Sequence, residues 1–304
     1  MIGFLVVDKP GGMTSHDVVA HVRRGIQLKR IGHTGTLDPM ATGVLILCLD
    51  EATRLAEYVT ADQKEYIATV RLGIETDSYD ADGQIVASVD ASHITQAQFE
   101  AALVGFRGPI LQTPPMVSAI KQGGVPLHEM ARAGKTVERA ARPVHIYDLM
   151  LLDWHGPDAV IRVVCSVGTY IRSIAHDLGE VLGVGAHLTT LRRTRVGQID
   201  DPVAWPTLQT AFAEQNWQRF VIDETRPLQT LSTVTFDLGL VTAFRNGQPL
   251  HLPATVPVDD GPDRTPIRVY DAARQMVGIG EFRVGRFWPV KVFAGYQPPI
   301  LPAP

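Results

Sequence analysis

Residues 2–7 form an unbroken apolar run, which predicts a strand buried on both faces. After it, Val18, Val19, Val22 and Ile26 recur at helical spacing, and Thr14 or Ser15 stands where an N-cap belongs. The glycine-rich stretch 32–43 reads as a loop, and 44–49 as a second apolar strand. Residues 65–72 alternate with period two, putting Tyr66, Ala68, Val70 and Leu72 on one face. Residues 76–83 read as a polar, acidic loop, and 96–104 as a helix capped by Thr95. The stretch 112–143 breaks the pattern. It is rich in Pro, Gly and Lys/Arg, and it predicts a long insertion with a short helix near 127–132. A strand at 160–167 ends at Gly168, and Ile171, Ile174, Ala175 and Leu178 form the next helical stripe. Trp/Pro/Gln-rich connections fill 202–227. From about 230 the pattern becomes short strands, including 268–270 and 276–282, which predict a small β-rich second domain.

With 304 residues, 45% of them hydrophobic, the chain is long enough to bury a full core without covalent staples. Cys48 and Cys165 sit inside apolar runs and read as buried thiols of a reducing compartment. No basic segment precedes residues 2–7, and no run is long enough to span a bilayer. The expectation is a cytoplasmic protein with no signal peptide and no membrane contact.

The net charge of −4 argues weakly against a polyanionic partner. Its distribution argues the other way. Arg23, Arg24, Lys29 and Arg30 cluster, as do Arg192, Arg193 and Arg195, and Arg132, Lys135, Arg139 and Arg142. Such patches make an RNA-binding face or three solvated surfaces, and charge alone leaves both readings open.

Several chemistries lose their support. The chain has no CxxC, no HExxH and no zinc-spaced Cys/His cluster, so no metal is expected. It has no GxGxxG and no GxSxG. Gly134-Lys135-Thr136 imitates the end of a phosphate-binding loop, but Glu129 replaces the first glycine.

The most informative stretch is Gly32-His33-Thr34-Gly35-Thr36-Leu37-Asp38-Pro39. Pro39 restricts Asp38 to extended geometry, and Gly32, Gly35 and Gly43 permit unusual angles or close approach. A short carboxylate in a stiff loop before a buried strand reads as a positioned nucleophile or as a self-capping Asp-Pro turn. Arg172 falls at the start of a helix, where the dipole disfavours a cation, so it reads as the partner of an anion or as a solvated side chain. Tyr66 and Tyr170 read as core or as flat surfaces for a splayed-out base.

Together these residues resemble the TruB family of bacterial tRNA pseudouridine synthases. The run GHTGTLDPMATGVL at 32–45 is similar to the family's catalytic motif. Asp8-Lys9-Pro10 with Gly12 to Asp17, Lys64-Glu65-Tyr66, Thr76-Asp77 with Asp80 to Gly83, and Pro114-Pro115 with Ser118, Ala119 and Lys121 follow in family order. Gly168 to Ser173, Gly185 to Leu188 and Leu191-Arg192-Arg193 complete the set, which covers about residues 1–200. His128 and Asp50 depart from the pattern, where Tyr and Gly are usual; His128 puts in doubt only the insertion's contacts.

The resemblance implies an α+β fold: a mixed, mainly antiparallel sheet flanked by helices over 1–228, with the RNA-binding insertion at about 112–143. A small β-rich, PUA-like RNA-binding domain would follow at 230–295. It implies isomerisation of uridine 55 in the TΨC loop of tRNA, with base flipping, Asp38 as essential residue and no cofactor. By the same resemblance, Arg172 pairs with Asp38, Tyr66 stacks on the uracil, and Tyr170 and Leu191 wall the pocket. His33 props the RNA loop and Lys9 supports the catalytic loop. Lys121, Arg192, Arg193 and Asp80 are candidate RNA contacts, and the partner is the TΨC stem-loop of tRNA bound by a monomer. Two other classes stay open: an RNA chaperone without turnover, and a glycosidase-like hydrolase. The hydrolase needs a second carboxylate to activate water; Asp77 and Asp80 lie in the acidic loop, and nothing in the sequence places them near Asp38.

Overall fold

Local signals set the first elements. Thr14 caps its helix in a reciprocal box with Asp17, and Thr95 does the same with Gln98. Such a cap is worth about 1 kcal/mol. The structure, a computed structural model, describes residues 2–60, 63–118, 120–132, 134, 137–252 and 263–293. The side chains of residues 60, 121, 122, 126, 128, 131 and 132 also fall outside the description.

The chain begins with β1 (Ile2–Lys9), α1 (Ser15–Ile26), β2 (Ile31–Thr34), β3 (Thr42–Asp50), α2 (Ala56–Thr60) and β4 (Lys64–Leu72), then the small pair β5 (Ile74–Thr76) and β6 (Ile85–Ser88). It continues with α3 (Gln96–Leu103), β7 (Gly108–Gln112), β8 (Lys121–Gln122), β9 (Val125–Pro126), α4 (Leu127–Arg132), β10 (Arg142–His155), β11 (Asp158–Cys165), α5 (Ile171–Leu182) and β12 (Ala186–Val196). The remainder comprises β13 (Val203–Ala204), α6 (Trp205–Ala213), β14 (Val221–Ile222), β15 (Thr233–Phe236), α7 (Leu238–Arg245), β16 (Ile267–Asp271), β17 (Met276–Arg283) and β18 (Arg286–Val292).

The main sheet runs β13-β1-β3-β12-β4-β11-β10-β7, with β14 beside β1 and β2 beside β3. It is antiparallel except where β12 meets β3 and β13 meets β1. One face packs on α1, α3, α5 and α6 through Val18, Val22, Phe99, Ile174, Leu178 and Leu208. The opposite face of β1 and β3 carries Phe4, Val6, Ile46 and Cys48. It is covered by Leu55 and Leu228, by Met276 and Ile279 of β17, and by Phe293 just after β18. Burial on both sides explains the continuous apolar runs of β1 and β3, while β4 alternates as read. Both cysteines are free and buried. The four-stranded sheet β15-β16-β17-β18 is the expected β-rich C-terminal part, with its own core around Phe236, Phe244 and Phe287.

Four features differ from the sequence reading. The stretch 32–43 is not all loop, because β2 hydrogen-bonds to β3 from Ile31 to Thr34. Residues 202–227 hold a helix, α6, whose Pro lies in the first turn, a position that starts helices as well as ending strands. α7, capped by Asp237, interrupts the C-terminal strands. β12 was hidden by its run of Thr and Arg residues, of which only Arg193 is fully buried. Among the described residues no helix is long and apolar enough to cross a membrane.

Candidate active site

The junction of β3 and β12 fixes the loop that carries Asp38. There Gly43 has φ 99°, and a Cβ on it would lie 2.1 Å from the Arg193 carbonyl oxygen. Only glycine lets the two strands meet so closely. Upstream, the Asp38 loop is tied to β1 and α1. Lys9 Nζ donates to the carbonyls of Pro10 (2.8 Å), Pro39 (3.1 Å) and Ala41 (2.7 Å). Leu37 N donates to Ser15 Oγ (2.9 Å), and that hydroxyl donates back to the Leu37 carbonyl (3.2 Å). Asp38 is thus bracketed by anchors on both sides. Burial pushes the Lys9 ammonium down to about 8, against the pull of Asp38.

Arg172 reaches Asp38 from the first turn of α5. Its Nη2 donates to Asp38 Oδ1 (2.9 Å) and to the Val117 carbonyl (2.8 Å), and its Nη1 donates to the Ser78 carbonyl (3.0 Å). Nη1 also lies 3.3 Å from Asp80 Oδ2. The Arg172 side chain is 2% exposed, Asp38 31% and Asp80 6%. A cation at a helix N-terminus is unfavourable by roughly 0.3–1 kcal/mol, and two carboxylates and two carbonyls offset that here. One guanidinium therefore joins the Asp38 loop, the acidic loop and the insertion. Burial raises the Asp38 carboxyl above its ordinary value of 3.8, Arg172 opposes the rise, and Asp80 adds to it.

A cavity of about 270 Å³ opens beside Asp38, between Tyr66, Tyr170, Leu191, Lys64, Gly35 and Gly168. Tyr66 and Leu191 come from adjacent strands, β4 and β12. Tyr170 is the N-cap residue of α5 and is held by Gln112 at the end of β7. Tyr170 N donates to Gln112 Oε1 (2.7 Å), and Gln112 Nε2 donates to the Tyr170 carbonyl (3.0 Å). A second recess on the other side of Asp38 is lined by Asp77, Asp80, Asp82 and Gln84. The geometry suits a flat, uncharged ring set between aromatic and aliphatic walls, with a carboxylate at its edge.

The remaining residues divide. His33 is half-buried on β2, packed edge-on against His16, and burial lowers it to about 4, so at neutral pH it is an uncharged ring. Arg192 is on the surface and pairs with Asp8 (2.9 Å). Two RNA-contact expectations need correction. Arg193 is fully buried and donates to the carbonyls of Val44 and Gly35, so it presents nothing to a phosphate. Asp80 is buried beside Arg172 and accepts from Ser78, so it is an internal partner of the site. The side chain of Lys121 lies outside the described residues.

The sequence reading missed Lys64 and Gln112 as site residues. Lys64 was detectable: it is in phase with Tyr66, Ala68, Val70 and Leu72, a charge on the buried face of the strand.

Known proteins match this chain over most of its length. Residues 23–171 match the family model described as TruB family pseudouridylate synthase, N-terminal domain. Residues 172–230 match the model described as tRNA pseudouridylate synthase B C-terminal domain. A curated relative from Burkholderia pseudomallei (strain 668), named tRNA pseudouridine synthase B, is 42% identical over 95% of this chain and 96% of its own length. One of the same name from Symbiobacterium thermophilum is 55% identical over 64% of this chain and 66% of its own. A solved structure titled as a Cbf5-Nop10-Gar1 complex superposes with TM-score 0.71 and 27% identity, covering 92% of this chain and 78% of that one. Fold and site thus define a pseudouridylate synthase. Within that class, the chain belongs to the TruB family.

Proposed function

We propose that this enzyme converts uridine 55 in the TΨC loop of tRNA to pseudouridine, with Asp38 as the essential carboxylate. The observation that carries this reading is the Asp38–Arg172 pair at the rim of the cavity between Tyr66, Tyr170 and Leu191. The relatives' shared name, tRNA pseudouridine synthase B, supports tRNA as the substrate.

The reaction breaks the N1–C1′ bond, turns the uracil and rejoins it through C5. Substrate and product have the same formula, so the chemistry calls for no redox group, nucleotide or metal. The target base is stacked in a folded loop and must be flipped out, at a cost of a few kcal/mol. Tyr66 stacks on the extruded uracil, Tyr170 and Leu191 complete its walls, and His33 props the space left in the RNA. Arg172 keeps Asp38 ionised and aimed, and Lys9 holds the loop behind it. Asp38 acts at the ribose, either by attacking C1′ or by removing a ribose proton. The insertion and Arg192 grip the stem-loop, with Lys121 as a further phosphate contact.

In the same reading, residues 1–228 are the catalytic unit and 230–295 a PUA-like RNA-binding unit, and the protein works as a cytoplasmic monomer. Two free buried thiols suit a reducing compartment.

The site of modification is tested with unmodified tRNA transcripts carrying U or C at position 55. Pseudouridine mapped to position 55 alone, and no product from the C55 transcript, is the expected result. Modification elsewhere in the loop would contradict the assignment.

A further inference from the structure

Lys64 is an unusual neighbour for a cavity meant to hold an uncharged base. It sits at the start of β4, two residues before Tyr66 on the same face, and is 7% exposed. It lines the cavity, and among the described residues its ammonium makes no side-chain hydrogen bond or carboxylate pair, with the Cys165 thiol as a weak electrostatic neighbour. A second cation, Arg193, acts on it. A Cβ on Gly35 would lie 2.9 Å from Lys64 Nζ and 3.6 Å from Arg193 Nη1, so both groups approach the same glycine. Arg193 Nη1 is itself buried and makes no hydrogen bond of standard geometry, although the Arg193 side chain acts on the Tyr66 hydroxyl. Burial and Arg193 together bring Lys64 down to about 8, which leaves it charged at neutral pH. Buried cations are normally paired, because an unpaired one is costly. Lys64 on the wall of the cavity, with Arg193 behind it, forms a site for negative charge.

The proposed reaction supplies that charge. Breaking N1–C1′ leaves the bonding pair on uracil, whether Asp38 bonds to C1′ or a ribose proton is removed. The resulting anion is spread over N1 and the two carbonyl oxygens. When C5 bonds to C1′, the ring uses that pair and becomes neutral; loss of the C5 proton to solvent and gain of one proton at N1 then give the product.

We propose that Lys64, backed by Arg193, is a catalytic residue that donates to a carbonyl oxygen of the flipped uracil and stabilises its anion while the glycosidic bond is broken. This rests on the pseudouridine reading of the site. Asp38 acts on the sugar and Lys64 on the base, so the two halves of the bond being broken are met by different parts of the cavity. A fixed cation in a site shielded from water strengthens as charge develops, which favours the transition state over the bound substrate.

The test is Lys64→Met, which keeps length and apolar bulk and removes the charge. Single-turnover rate at saturating enzyme should fall at least 100-fold, with tRNA affinity within threefold of wild type. The variant should also melt at a higher temperature, because an unpaired buried charge has been removed. A merely structural lysine would give the opposite pair, lower melting temperature and near-normal rate in the folded fraction. The second arm uses tRNA with 5-fluorouridine at the target position. Fluorine makes uracil a better leaving group, so the deficit of Lys64→Met in consuming this substrate should shrink by at least tenfold. Asp38→Asn should be inactive on both substrates. A Lys64→Met rate within threefold of wild type, or an equal deficit on both substrates, would overturn the role of Lys64 and leave that of Asp38 standing. If Asp38→Asn were active, the pseudouridine reading itself would fail. Should the Met variant not fold, Lys64→Gln carries the same test with a neutral donor.

Discussion

The two walls of the cavity are built on different principles. One wall is sheet: Tyr66, Lys64 and Leu191 stand on β4 and β12, locked by the ladder from Leu72–Ala186 to Lys64–Val196. The other is loop: Asp38, Asp80 and Val117 come from three irregular segments that meet at Arg172. The sheet wall carries the flat and aliphatic surfaces with one lysine among them, and the loop wall carries the carboxylate and its counter-ion. Strand side chains keep their places through many backbone bonds, so losing one should cost only what that side chain does. The loop wall depends on one guanidinium, so its loss should cost both chemistry and stability.

Arg172→Met gives the largest contrast. It leaves the buried Asp80 carboxylate unpaired, and breaking a buried pair costs roughly 3–5 kcal/mol of stability. Thermal unfolding should occur well below that of wild type, and turnover should fall more than 1000-fold, about 4 kcal/mol in the barrier. Arg172→Lys keeps the charge but not the fork, and should be slow but active. A stable Arg172→Met protein would mean that the loops hold themselves.

Tyr66→Leu probes the sheet wall. Turnover at saturation should drop about 100-fold, some 2.7 kcal/mol, while tRNA affinity stays near wild type, since phosphate contacts and loop shape dominate binding. Loss of affinity with an unchanged rate would make Tyr66 a docking residue.

The pH profile links the walls. In the proposed role Asp38 must be ionised, and burial raises its pKa above 3.8 while Arg172 opposes the rise. Activity should therefore be full above that raised value and fall as pH drops through it. In Arg172→Lys the acid limb should move to higher pH, because the paired cation is held less closely. An acid limb at or below 3.8 in wild type would contradict a buried carboxylate.

Arg192→Ala should have the smallest effect. Its pair with Asp8 is exposed and worth about 0–1 kcal/mol. Melting should hardly change, and tRNA affinity should fall a fewfold with a shallower salt dependence. An unchanged salt dependence would remove Arg192 from the RNA face.

The two walls also differ in how far the sequence revealed them. The sheet wall was partly legible: β4 announced itself by alternation, and that phase placed Tyr66 inward. The same period-two rule, applied to β12, separates buried Arg193 from surface Arg192, but the Thr and Arg residues of that strand hid it. Asp38 stood out through Pro39 and its glycines, and Arg172 through its misfit with the helix dipole. Asp80 did not. Its burial depends on a contact with a residue 92 positions later in the chain, and local spacing holds no record of it. The C-terminal sheet was legible as strands, but not its packing on Phe4 and Ile46, which joins distant ends of the chain.

The central claim is that Asp38 acts on the ribose. It is tested most directly with Asp38→Asn and tRNA tritiated at uracil C5, measuring tritium release and tRNA binding on the same folded preparation. The substitution keeps size and most hydrogen bonding while removing the charge. Release should fall below detection, with binding equal to wild type or slightly tighter as repulsion from phosphates is relieved. Release within about tenfold of wild type, a barrier change of only ~1.4 kcal/mol, would take Asp38 out of the chemistry.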